Sequence, residues 1–141
     1  AAVKPAFRRA FVSKRCLIPA TGFFEWKKEG NRKQPFLIRR KDGEPFAFAG
    51  LWEKWEGPNG MYYGCAILTT KPNTLVAQIH DRMPVILEPE HKDLWLDRTV
   101  DDRELLTSLL HPFPPERMEV FPVSERVNSP KFDDPQCIKP L

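Results

Sequence analysis

Two short stretches of this chain carry side chains able to move protons or hold anions. The first is Pro19-Ala20-Thr21-Gly22-Phe23-Phe24-Glu25-Trp26, in which one acid stands between two aromatic residues. In a strand, successive side chains point to opposite faces, so Glu25 faces away from both Phe24 and Trp26. If the aromatic face is core, Glu25 lies on the other. A partly dry surface there raises the carboxyl pKa toward general acid–base use, whereas a wet one makes Glu25 an ordinary exposed strand glutamate. The second stretch is Gln78-Ile79-His80-Asp81-Arg82-Met83-Pro84, where four polar groups follow a short helical segment and precede a proline. Such a connection aims an imidazole outward, with Asp81 or a backbone carbonyl able to orient its other nitrogen. A surface loop with an incidental Asp–Arg pair fits the same residues.

The remaining candidates point to no cofactor. Cys16, Cys65 and Cys137 are widely separated, an odd count without a CxxC pair, so they read as small buried hydrophobes in a reducing compartment rather than as disulfides or zinc ligands. His91 and His111 fall in solvent-facing helical contexts. No His/Cys/Asp/Glu set has metal spacing, and neither a glycine-rich phosphate loop nor a GxSxG elbow occurs. No metal and no cofactor are therefore expected. No apolar run approaches the roughly 18 residues that span a bilayer, and the basic N-terminal stretch lacks the apolar core of a signal peptide, so no membrane partner is expected.

Charge is uneven along the chain. Residues 1–40 hold 11 Lys and Arg against only Glu25 and Glu29, and residues 41–141 hold 11 against 17 acids, although the whole chain is only +3. This suggests one basic face and a polyanionic partner, with a set of solvated surface charges as the other reading. Lys and Arg hold phosphates without regard to base sequence.

The elements that must position these groups follow from periodicity. Val3, Ala6, Phe7, Ala10 and Phe11 predict a helix over residues 1–12, with Arg8 and Arg9 on its outer side. From Arg15 to Thr70 the pattern predicts four or five antiparallel strands in a meander. Turns fall at Glu29-Gly30-Asn31, at Lys41-Asp42-Gly43-Glu44 as a tight hairpin, and at Gly57-Pro58-Asn59-Gly60. Trp26, Phe36, Phe48 and Trp52 read as core. Short helices are predicted over 73–79, 89–96 and 101–110, a last strand over 118–123, and a proline-punctuated loop to the end. The chain is expected to form one α+β domain over residues 1–141, a curved, mainly antiparallel sheet or partial barrel with short peripheral helices.

Taken together, Arg15-Cys16-Leu17-Ile18-Pro19-Ala20-Thr21-Gly22-Phe23-Phe24-Glu25-Trp26, Gln34-Pro35-Phe36, Phe48-Ala49-Gly50-Leu51-Trp52, Leu68-Thr69-Thr70 and Ile79-His80-Asp81-Arg82-Met83-Pro84 resemble the SOS response-associated peptidase (SRAP) family. Val123-Ser124 and Val127-Asn128 also fit. The motifs occur in the family's order and extend through nearly the whole chain.

The resemblance implies capture of abasic sites in single-stranded DNA. In that chemistry an amino-terminal cysteine, exposed by self-removal of the initiator methionine, forms an imine with the ring-opened sugar. Its thiol then closes a thiazolidine. Glu25 and His80 match the family's acid–base residues. Arg8, Arg9, Arg15 and Arg82 are the expected DNA contacts. The family's opening C-G-R-(F/Y) and its N-A-R-x-E segment have no match here. The sequence therefore reads as the C-terminal part of an SRAP domain, with the nucleophile outside it and a contact to that outer segment expected. The resemblance implies a cytoplasmic, nucleoid-associated protein in a bacterium and a nuclear one in a eukaryote. Two other functions fit some of the residues, a non-catalytic module for single-stranded or modified DNA and a cysteine hydrolase using Cys16 and His80.

Overall fold

The structure, a computed structural model, describes residues 5–141, with side chains from Phe7 onward. The predicted positions of Val3 and Ala6 lie outside the described side chains. The elements in chain order are α1 (Pro5–Ser13), β1 (Arg15–Ala20), β2 (Phe23–Glu29), β3 (Arg32–Arg40), β4 (Phe46–Gly57), β5 (Gly60–Ile67), β6 (Thr69–Thr70), β7 (Met83–Pro84), α2 (Lys92–Leu96), α3 (Arg103–Ser108) and β8 (Met118–Pro122). The fold is α+β, with mainly antiparallel sheets and short helices, and among the described residues the strands do not close into a barrel.

The strands do not form one meander. They form two three-stranded sheets, ordered β1-β4-β5 and β2-β3-β8. The Lys41–Glu44 turn therefore does not close a β3–β4 hairpin. β3 is buried at Gln34, Pro35, Leu37 and Ile38, which puts protein on both of its faces, and a central strand needs a partner along each edge. β2 takes one edge from Phe23↔Ile38 to Glu29↔Arg32, and β8 takes the other from Phe36↔Pro122 to Arg40↔Met118. That leaves no edge for β4. Six consecutive residues of β4, Phe46–Leu51, are buried without alternation, the mark of a strand covered on both faces, and its outer half pairs with β5 from Gly50↔Ile67 to Gly57↔Gly60.

The described residues fall into two compact units, one built on 5–19, 47–70 and 84–113, the other on 20–46, 71–83 and 114–141. In the first, Ala10 and Phe11 of α1 pack with Ala49, Leu51, Val85, Leu87, Trp95, Leu106 and Leu109. Phe7 stacks on Phe11 at 6.0 Å, and Phe11 meets the fully buried Trp95 edge-on at 5.9 Å. Asp102 caps α3 by accepting from the Glu104 and Leu105 amides, but of the predicted leucine stripe only Leu106 and Leu109 are buried.

Arg15 corrects the sequence reading. Its guanidinium is buried in this unit rather than offered to phosphate. Nε donates to the Trp95 carbonyl at 2.6 Å, Nη1 to the Phe11 carbonyl at 2.9 Å, and Nη2 to the carbonyls of Asp97 and Val100 at 2.6 and 2.9 Å. These bonds tie α1 to the segment that follows α2. Burial lowers the Arg15 pKa against the opposing pull of Asp97 and Asp101. The cationic form persists because Arg remains charged at any ordinary pH.

The second unit buries Leu37, Ile38, Phe46, Val76, Met83, Met118 and Val123. The predicted helix over 73–79 is a tighter 3-10 turn, Val76–Gln78. Two predicted core aromatics of this unit, Trp26 and Phe36, are only half-buried, as is Trp52 of the first unit, whereas Phe48 is buried as expected. Cys137 is buried and Cys16 partly so, but Cys65 is exposed, because β5 is an edge strand with little over its outer face.

Replacing Arg15 with Met keeps the apolar stem and removes every donor. The four carbonyls then lose their partners, and the unfolding free energy is expected to fall by about 2–4 kcal/mol. Urea denaturation measures this, with Arg15→Lys expected to recover only part because an ammonium cannot reproduce the planar fork. A loss below about 0.5 kcal/mol, the range of ordinary surface changes, would show that the guanidinium is not the tie between these segments.

Candidate active site

The site is built on β2, an edge strand. Phe24 and Trp26 lie on the same face with ring centroids 6.4 Å apart, which turns Glu25 to the other face opposite Phe36. Gly30, at φ 64°, supplies the left-handed residue that lets β3 return directly along β2. His80 is delivered from the other side of the unit. Asn73 is buried, and its Oδ1 accepts from the amides of Leu75 and Val76 while its Nδ2 reaches the Met118 sulfur at 3.3 Å. This fixes the start of the 3-10 turn. The His80 amide then donates to the Val76 carbonyl at 2.9 Å.

The two elements bring together the residues predicted from sequence, 55 positions apart. Glu25 Oε2 lies 3.3 Å from His80 Nδ1, with 20% of the glutamate side chain and 41% of the histidine side chain exposed. The same nitrogen stands 3.1 Å from the Arg82 carbonyl, 3.2 Å from the Arg82 amide nitrogen and 3.4 Å from Asp81 Oδ1. These neighbours favour different states of the ring. When Nδ1 carries a proton it donates to Glu25 or to the Arg82 carbonyl. When Nδ1 is bare it accepts from the Arg82 amide. His80 thus has a hydrogen-bond partner in either tautomer, as proton exchange requires.

Burial pushes the Glu25 pKa up; the nearby His80 pulls it back down, and Asp81 pushes it up again. Glu25 therefore retains its proton to higher pH than a solvated glutamate. A cavity of about 390 Å³ opens over the pair, lined by Glu25, Trp26, Lys33, His80 and Asn128. The Trp26 indole donates to Asn128 Oδ1 at 2.6 Å. His80 also borders a second hollow with Lys27, Lys28, Gln78 and Asp81. Among the described residues, Lys27, Lys28 and Lys33 have no acid partner, so the surroundings of the pair are cationic. No group of three or more His, Cys, Asp or Glu among the described residues lies close enough to hold a metal.

The other predicted contacts divide. Arg8 and Arg9 are exposed on α1, and Arg82 is exposed beside His80, whereas Arg15 is buried as described. The basic first 40 residues are less basic in space than in sequence. Lys14 pairs with Glu53, Arg32 with Glu125, Arg39 with Glu119 and Arg40 with Asp42, every one of these acids coming from beyond residue 40. Cys16 is partly buried, and burial first, then the nearby Cys65, pushes its thiol pKa up, the opposite of what a cysteine nucleophile requires. Sequence reasoning missed Asn73 and Asn128. Asn73 carried a usable signal, since Pro72-Asn73-Thr74 is a turn-forming start to a helical segment. Asn128 falls in the Val127-Asn128 pair that fits the family resemblance, but no local pattern pointed to its contact with Trp26 across 102 residues.

The fold and the cleft define an α+β protein whose edge strand and adjoining loop join a carboxyl and an imidazole in cationic surroundings. The chain belongs to the SOS response associated peptidase (SRAP) family, which it matches over residues 1–130. It is 50% identical over 138 residues to the abasic site processing protein YoqW of Bacillus subtilis, covering 96% of this chain and 62% of that protein. To the abasic site processing protein YoaM of the same organism it is 50% identical over 137 residues, covering 96% of this chain and 60% of that one. A crystal structure of a protein from Bacteroides thetaiotaomicron aligns with a TM-score of 0.92 at 33% identity, covering 99% of this chain and 62% of that chain. The chain spans about three-fifths of the length of these relatives.

The raised Glu25 pKa fixes the sign of a pH dependence. A carboxyl held protonated by the fold contributes stability below the unfolded pKa of about 4.3, and that contribution is lost as pH rises through the higher folded value. Wild type is therefore expected to lose stability relative to Glu25→Gln as pH rises from about 4 toward neutrality. Denaturation midpoints across that range, repeated in a His80→Asn background to remove the imidazole's titration, measure the difference. Parallel curves, or a wild type that gains on the variant, would contradict burial as the dominant effect on Glu25.

Proposed function

We propose that this chain supplies the acid–base half of a site that captures abasic sites in single-stranded DNA as a covalent adduct. The observation that carries the reading is the Glu25–His80 pair at 3.3 Å in a cavity bordered by lysines. The names of the relatives, abasic site processing proteins, support the same substrate.

The chemistry follows from what each group can hold. An abasic deoxyribose is a cyclic hemiacetal. Opening it removes the proton of the 1′-hydroxyl, breaks the bond from C1′ to the ring oxygen and places a proton on that oxygen. His80 with a bare Nδ1 accepts a proton, and protonated Glu25 donates one, so the pair can act from both sides of that bond. An amine adds to the resulting aldehyde, and water leaves to give an imine, a step that again needs a proton on the departing oxygen. A thiol on the carbon adjacent to the amine-bearing carbon adds across the imine to close a thiazolidine. No electrons are gained or lost.

Only an amino-terminal cysteine offers amine and thiol on adjacent carbons, so the nucleophile is assigned to a residue outside these 141. The side chains of Cys16, Cys65 and Cys137 lie beside amide nitrogens, which cannot form the imine. Self-removal of an initiator methionine, the peptidase activity in the family's name, would use the same acid–base pair. Lys27, Lys28, Lys33, Arg8, Arg9 and Arg82 are proposed to hold the phosphate backbone, and Trp26 to border the lesion.

The test is a denaturing gel of protein incubated with single-stranded DNA containing one abasic site. The 141-residue chain is expected to give no adduct that survives heat without reductant, although borohydride can trap a reversible imine. A chimera that joins the part of YoqW unmatched by this chain to these 141 residues is expected to give a stable adduct. Glu25→Gln and His80→Ala in the chimera are expected to slow its formation by about 10²-fold or more. A stable band from the 141-residue chain would overturn the placement of the nucleophile. Unchanged rates in both variants would overturn the roles of Glu25 and His80.

A further inference from the structure

A second concave surface lies on the opposite face of β2 from Glu25. It is a cavity of about 290 Å³ whose floor includes Phe24, Leu37 and Ile138 and whose rim includes Thr21, Arg39 and Lys41. We infer that this pocket binds one nucleotide of single-stranded DNA beside the lesion, its base or sugar on the apolar floor and its phosphate against Arg39 and Lys41. The inference rests on the DNA-binding reading above and extends the strand's path beyond Trp26.

Arg39 is held in place before any ligand arrives. Its Nε donates to Glu119 Oε1 at 2.5 Å, and its guanidinium lies 4.8 Å from the Phe121 ring centroid. Both terminal nitrogens make no hydrogen bond among the described residues, so a fixed pair of donors remains on the rim. Lys41 is exposed, and its ammonium has no partner among the described residues. Next to it, Arg40 is nearly buried, tied through Nη2 to Asp42 at 2.6 Å, with its Nε buried and lacking a hydrogen-bond partner. The cluster of cations is therefore only partly neutralised by Glu119 and Asp42. A preorganised donor set of this kind binds phosphate at little ordering cost.

Gly22 lines the same cavity because no side chain fits there, a Cβ at that position standing 2.9 Å from the Ile38 carbonyl and 3.2 Å from Leu37 Cδ1. The apolar lining argues against a bare anion, which would leave the half-buried Phe24 and the exposed Ile138 uncovered. The spacing argues for a strand. Phe24 lines this pocket, Trp26 lines the cavity over Glu25 and His80, and their rings are 6.4 Å apart along β2. Adjacent aromatic rings with lysine and arginine alongside form the kind of platform on which successive unpaired bases stack.

The experiment is a titration of the isotope-labelled 141-residue chain with a short oligothymidylate lacking any abasic site, followed by amide NMR shifts, with inorganic phosphate as a parallel probe. Shifts are expected at Gly22, Arg39, Lys41 and Gly43 as well as at Trp26, Lys33 and His80. Lys41→Gln, which removes no contact within the protein, is expected to reduce the slope of log affinity against log salt by about 0.7, and Arg39→Gln with Lys41→Gln by about 1.4. Oligothymidylate shifts confined to Trp26, Lys33 and His80, with an unchanged slope in both variants, would overturn the pocket and leave the abasic-site reading intact. No shift at either place would overturn both. Equal shifts with phosphate alone would reduce the pocket to an anion site and overturn the nucleotide.

Discussion

A charged group withdrawn from water must find its solvation elsewhere, and the two ways in which this chain meets that demand separate structure from chemistry. Arg15 is buried with four carbonyl acceptors, one from α1 and three from the segment 95–100. Four of its five donors are met in a single arrangement, so it holds those segments together. Glu25 is withdrawn with less compensation. It has His80 at 3.3 Å, but the imidazole nitrogen is also within reach of the Arg82 carbonyl and amide. A carboxyl with one divided partner keeps its proton to higher pH than a solvated one. A guanidinium with four acceptors stays charged.

That placement of Glu25 depends on how the edge of a sheet is built. Among the described residues β2 has a strand neighbour only at β3, so its outer edge and the loop that carries His80 can meet at a concave surface rather than in a packed interior. β3 in turn is held between β2 and β8, which gives the exposed edge a rigid support. The imidazole is fixed less directly, through Asn73, whose amide side chain satisfies the start of a 3-10 turn and touches the Met118 sulfur in β8. Both members of the pair are thus referred back to the same three strands, the common support that the proposed proton transfer needs.

The sequence made the local half of this legible. Alternation alone set Glu25 against Phe24 and Trp26, and the polar run before Pro84 marked His80, because both signals lie within a few residues. The ordered motifs then joined the two segments through a family resemblance. The sheet pairing was not legible in this way. β8 reaches β3 across about 80 residues, with Arg39 opposite Glu119, and no local pattern distinguishes that partner from β4. The turn at Lys41–Glu44 was read correctly as a turn but wrongly as a hairpin, since turn chemistry fixes a change of direction and not the strand found after it. Arg15 was misjudged for a related reason. A basic residue in a basic stretch resembles a phosphate contact until its long-range carbonyl partners are known.

Charge shows the same limit with a functional consequence. The excess of cations in the first 40 residues suggested one broad basic face, yet acids from later in the chain pair with Lys14, Arg32, Arg39 and Arg40. Exposed pairs of this kind add little stability, about 0–1 kcal/mol each, so their larger effect is on where positive potential remains. In the second unit, Lys27, Lys28 and Lys33 remain around the Glu25–His80 pair, and the terminal nitrogens of Arg39 and Lys41 remain beside the second cavity. A uniform basic face would attract any polyanion along its whole length. Cations beside these two cavities, with Phe24 and Trp26 between them, suit the single strand of the proposed activity, because a duplex keeps its bases stacked on each other and unavailable to Phe24 or Trp26.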